Sequence, residues 1–157
     1  MSLVRFLMLL SLIVWLGGIV FFATLAPTLF SVLPTRHLAA SVVAPMLSKL
    51  HWMGIGSGIL FLASSMIHSR VLNGDSHPFA ARNVLVCLML LLTLISQFAI
   101  SPKMAALRGS MGEMDSLPAH DPARLRFHSL HAWSTRLEIA VLLFGLVVAY
   151  ATARQIT

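Results

Sequence analysis

The sequence predicts an all-α membrane protein, a four-transmembrane-helix bundle whose third and fourth helices extend beyond the bilayer on one side. Three observations predict it. Of 157 residues, 58% are apolar and 10% are charged. The mean hydropathy is +0.89. The apolar residues gather into four uncharged runs, separated by connections that contain Pro, Gly and Asp. A soluble domain of this size could not bury so much apolar surface, whereas a helix of about 20 apolar residues crosses the ~30 Å hydrocarbon core with its backbone groups satisfied. The chain is read as one domain, residues 1–157, with spans at about 3–30, 40–67, 81–102 and 132–153.

The first run, Phe6 to Phe30, follows Arg5 and carries no charge. It is far longer than the roughly 7–15 residues of a cleavable signal sequence and reads as a retained span. Within it Trp15, Gly18 and Phe22 share a stripe suited to core packing. The second helix begins between His37 and Ala40, passes Pro45 and is most apolar from Trp52 to Ile67. Asn73, Gly74, Asp75 and Pro78, within the segment from Ser69 to Arg82, form a turn signal, so the third helix starts near Ala80. Cys87, inside the third run, reads as a small core residue with no intrachain disulfide partner. The third helix is uncharged from Asn83 to Pro102 and continues through Met104 to Met114 as an amphipathic extension. Asp115 to Asp121 is a loop, and Asp121 followed by Pro122 is an N-cap with proline at the first helical position.

The fourth helix, Pro122 to about Ala153, contains a conflict. Its uncharged stretch, Ile139 to Ala153, has about 15 residues, which cover about 22 Å and cannot span. Reaching back to Ser134 draws Glu138 about a turn into the bilayer and leaves Arg136 near its boundary. A carboxylate at that depth is costly unless paired or protonated, so Glu138 is expected to face the bundle interior.

A net charge of +6 and a pI near 11.2 would suggest nucleic acid for a soluble protein. Here the basic residues sit at helix ends and in loops, where anionic headgroups are the natural partners, and no nucleic acid is implied. An even number of spans puts both termini on one side. Arg5 ahead of the first span places that side in the cytoplasm, although the larger count of Lys and Arg at the other end argues the reverse. The expected location is an integral, multi-pass position, in the inner membrane if the source is bacterial.

Topology brings the start of helix 2, the end of helix 3 and the start of helix 4 to one face of the bundle. The candidate ligand-binding residues there are His51, Lys103, His128, His131, Arg136 and Glu138. His128, His131, Thr135 and Glu138 follow one stripe of helix 4. Gly54 and Gly58 follow His51 at i+3 and i+7 as a ridge of small residues that permits close helix approach. Thr93, Gln97 and Ser101 form a polar strip on helix 3. His131, His51, Lys103 or a polar group of helix 1 is the expected partner of Glu138. Imidazoles from two helices, His51 and His131, are candidate metal ligands, for haem iron or copper. Each histidine also reads as a headgroup-level anchor, and the nine methionines read as ordinary filling of apolar helices. No nucleophile–base pair, phosphate loop or CxxC motif points to an enzyme.

The runs WLGGIVFFATLAP (Trp15 to Pro27) with Phe30, LHWMG (Leu50 to Gly54), SPKMAALR (Ser101 to Arg108) and RFHSLHAWS (Arg126 to Ser134) resemble the transmembrane protein 205-like family, also catalogued as domain of unknown function 4149. The layout is more distantly similar to copper resistance D proteins and to four-helix haem-binding membrane proteins. The resemblance implies a four-helix membrane protein and raises the metal reading. Its pattern has an asparagine near the position of Glu138, so this carboxylate is a departure. The functional expectation is a non-enzymatic protein that binds a small ligand, ion or metal in a polar pocket at one face. The alternatives are a haem- or copper-binding redox component and a structural subunit of a membrane complex. The bilayer and other copies of the chain, as a homo-oligomer, are its expected partners.

Overall fold

In a computed structural model the chain is described over residues 2–73, 80–111, 118 and 120–154. Four helices account for nearly all of it: α1, Ser2–Val32; α2, Arg36–Asn73; α3, Ala81–Met111; and α4, Pro122–Ala153. No strand occurs among the described residues. Each helix is long and apolar enough to cross a membrane, which makes this a multi-pass membrane protein. The 31 and 32 residues of α3 and α4 rise about 46–48 Å, more than the ~30 Å hydrocarbon core, so their ends lie outside it.

Local chemistry sets the helix ends. Pro34 follows α1, and the Thr35 hydroxyl accepts the Leu38 amide at 3.1 Å, capping α2. Asp121 caps α4 through Oδ1, which accepts the amides of Ala123 at 2.8 Å and Arg124 at 3.2 Å, with Pro122 at the first helical position. α2 stays helical from Ser69 to Asn73, because no helix breaker precedes Gly74. The expected turn at Gly74, Asp75 and Pro78 lies outside the described residues, as does most of the expected loop between Asp115 and Asp121. One feature of α3 is not legible in its composition. Ser96–Ile100 form a π-helical turn, closed by the Ser101 amide donating to the Ser96 carbonyl, so the register shifts by one residue midway along the helix.

The helices neighbour one another in the order α1–α2–α3–α4–α1, which leaves α2 and α4 facing across the bundle diagonal. The main core contains Met8, Leu12, Trp15, Ile19, Leu50, Phe61, Val86, Met89, Val141 and Val148. Its centre is Trp15, which lies on the glycine ridge of α2. A Cβ on Gly54 would stand 2.5 Å from Trp15 Nε1, so only glycine admits the indole there. A second cluster, Ile100, Met104 and Phe127, joins the extensions of α3 and α4 beyond the main core. Large apolar side chains such as Ile13, Phe21, Ile59, Leu91 and Val147 are exposed all round the bundle, as lipid requires. Cys87 belongs to this outer surface. The expectation that it sits in the core is corrected: it lies one residue after buried Val86, about 100° round the helix, on the outward side.

Candidate functional site

His51 projects from α2 toward the bundle interior because it shares its face with the glycine ridge that packs on Trp15. It is 1% exposed. A buried imidazole must find partners for both ring nitrogens, and this one has them on two other helices. Nδ1 is 2.8 Å from Gln97 Oε1 on α3, and Nε2 is 2.7 Å from Glu138 Oε1 on α4. The Gln97 amide nitrogen in turn donates to Ser48 Oγ at 3.0 Å, and Ser48 lies one turn before His51 on the same face of α2. Gln97 sits in the π-helical turn, whose altered register aims its side chain at α2. Beside this node, Ser96 and Ser134 bring their hydroxyls to 3.4 Å between α3 and α4.

The hydrogen bonds restrict the protons. Because the Gln97 amide nitrogen donates to Ser48, its oxygen faces His51 and can only accept, so Nδ1 carries a hydrogen. Across the 2.7 Å contact, Nε2 and the Glu138 oxygen then share one further proton, held as imidazolium and carboxylate or as neutral imidazole and carboxylic acid. Either way the pair has no net charge, which suits a site inside a bilayer. Without that proton two lone pairs would face each other and the pair would carry a buried negative charge.

The other candidate residues lie away from this node. His128, His131, Lys103 and Arg136 are all exposed. The His128 ring stands edge-on to Phe127, with centroids 6.4 Å apart, and the Arg136 guanidinium lies 5.3 Å over the Trp133 ring. His131 precedes Glu138 by two helical turns, about 10 Å along α4. At that level the buried face of α4 is Phe127 with Leu130, packed on the α3 extension, and the imidazole points elsewhere. Thus His51 and His131 do not converge, and among the described residues no group of three or more His, Cys, Asp or Glu side chains is placed to hold a metal ion. Of the polar strip on α3, Gln97 belongs to the node, while Thr93 bonds the Met89 carbonyl one turn back. Ser48 gave no signal in the sequence beyond its i−3 spacing from His51.

A family model described as Domain of unknown function (DUF4149) matches residues 10–113, a stretch that includes His51 and Gln97 and stops before Glu138. No curated protein and no solved structure matches the chain.

Proposed function

The chain belongs to the DUF4149 family, and we propose that it is a non-catalytic membrane protein that binds a small cation at the His51–Glu138 pair, in exchange for the proton the pair holds. The observation that carries this reading is the 2.7 Å contact between Nε2 and Oε1. That separation suits one proton, and a tetrahedral metal ion at about 2.0–2.1 Å from each atom would take its place once the two side chains part to about 3.3 Å. The far side of the ring fits the same reading. A metal-binding histidine usually donates its other N–H to a fixed oxygen, and Nδ1 faces Gln97 Oε1, itself held by Ser48. An imidazole with a carboxylate suits zinc or copper better than haem iron, which would need an open axial nitrogen. The remaining ligands would be water or a group on the cation itself.

Calorimetric titration of the purified protein in lipid nanodiscs with Zn²⁺ and Cu⁺, alongside Na⁺ and K⁺, tests the reading. The wild type should release about one proton per bound ion, since the ligands must be deprotonated. Glu138→Gln should lose both the binding and the release. Equal binding by wild type and Glu138→Gln would place any cation elsewhere and end the proposal.

A further inference from the structure

At the opposite end of the bundle three helices bring together a second polar cluster that this function does not use. We propose that it is a binding site for a phosphate group, centred on Arg5 of α1 and backed by His68 of α2. The Arg5 Nε donates to His68 Nε2 at 3.1 Å. His68 is 7% exposed, and as the acceptor it is a neutral ring with its hydrogen on Nδ1. One turn earlier on the same face of α2, Ser65 is fully buried. Its hydroxyl donates to Asn83 Oδ1 at 2.7 Å and accepts from Arg82 Nε at 3.2 Å. Guanidinium groups from α1 and α3 therefore converge on one face of α2. Of the carboxylates of the described residues, Asp121 caps the far end of α4 and Glu138 lies at its middle, against His51. Asp75, in the α2–α3 connection, is outside the described residues.

Arg5 stands beside a neutral histidine with no carboxylate of the described residues at its end of the bundle, and its charge calls for an anion. Arg5 is the group placed to take it. Its Nε is committed to His68, which fixes the plane of the guanidinium, and its two Nη groups have no partner among the described residues. A guanidinium held in one plane with both Nη groups open matches the two oxygens of a phosphate better than an ammonium would. The depth suits this ligand too. Arg5 immediately precedes the apolar run that begins at Phe6, so it stands at the level of headgroup phosphates. The phosphate can belong to an anionic phospholipid or to a soluble molecule, and the chemistry at Arg5 is the same for both.

Two measurements separate these sources. Native mass spectrometry of protein extracted from mixed phosphatidylglycerol–phosphatidylcholine vesicles reads retention of the anionic lipid. Thermal shift in detergent with added inorganic phosphate reads the soluble anion. The wild type should retain phosphatidylglycerol in preference to phosphatidylcholine, or melt higher with phosphate, and Arg5→Gln should weaken the effect about tenfold, the worth of one hydrogen bond to a charged group. Arg5→Lys, which keeps the charge and loses the paired donors, should fall in between and serves if Arg5→Gln does not fold. Arg70→Gln removes an exposed arginine from the same end and should change neither readout. The proposal is overturned if the wild type shows neither preference, or if Arg70→Gln loses as much as Arg5→Gln, since the attraction would then be diffuse.

Discussion

His51 and Glu138 meet across the diagonal of the bundle, Nε2 to Oε1 at 2.7 Å, although α2 and α4 are not adjacent helices. The four helices share one apolar core, and this polar contact ties the two that face each other across it. Removing the carboxylate should therefore loosen the bundle as well as empty the site. Glu138→Ala should lower stability in detergent by about 1–3 kcal/mol, the cost of stranding a buried partner. Glu138→Gln should cost less, because its amide can still bond Nε2. Thermal unfolding of the two variants beside wild type measures this, and equal melting of Glu138→Ala and wild type would show that the diagonal contact contributes nothing.

Gln97 fixes which nitrogen of His51 faces Glu138, so its loss should disturb proton placement before it disturbs packing. Gln97→Leu leaves the Nδ1 hydrogen of a buried ring without an acceptor, for about 1–3 kcal/mol. The ring can escape part of that cost by releasing the Nδ1 hydrogen to solvent, which leaves the shared proton on Nε2 and one negative charge on the pair. Gln97→Glu keeps an acceptor and should preserve the tautomer. Nitrogen-15 chemical shifts of the His51 ring distinguish these states. An unchanged spectrum in Gln97→Leu would mean that Gln97 does not set the tautomer.

Much of this fold was legible because lipid leaves the chain few choices. Four uncharged runs must become four helices, and Asp121 before Pro122 announces its cap with the acceptor and the proline where α4 begins. Glu138 was legible as an oddity, since the apolar run after it is too short to span. What one sequence does not carry is which helices stand side by side. The His51–Glu138 and Arg5–His68 contacts join residues 87 and 63 positions apart, and helical spacing within one segment says nothing about either. The stripe of His128, His131 and Thr135 is a real periodicity, yet these side chains are exposed, because periodicity gives a face and not the neighbour that covers it. The π-helical turn at Ser96–Ile100 adds one residue to the ladder without a glycine or proline within it to mark the site.

Cys87 offers a check on which surface meets lipid. It is exposed on the bundle, and its neighbours Val84, Leu88 and Leu91 are exposed apolar residues. In intact membranes a charged, membrane-impermeant thiol reagent should not modify it, and the same reagent should modify it once the protein is unfolded in detergent. Rapid reaction with the charged reagent in intact membranes would mean that this face of α3 lines water.

The indole of Trp15 lies on the glycine ridge of α2, and no flexible side-chain end cushions the approach. A Cβ on Gly54 would lie 2.5 Å from Nε1 and 2.9 Å from Cε2, and both atoms belong to a large, fully packed side chain in the main core. Neither can yield without moving the ring, so α1 and α2 would have to separate. Gly54→Ala should cost about 1–3 kcal/mol as overpacking, despite alanine's better helix propensity. Gly56, one face round on α2, has nothing near its Cβ position, so Gly56→Ala should leave stability unchanged or raise it by a few tenths of a kcal/mol. Because His51 is one turn from Gly54 on the same face, separation of α1 and α2 should also shift the node, and Gly54→Ala should weaken cation binding where Gly56→Ala does not. Combining Gly54→Ala with Trp15→Phe removes the indole nitrogen and its ring, and should recover part of the lost stability. If Gly54→Ala and Gly56→Ala melt alike, the indole is not the wedge that sets the spacing of these two helices.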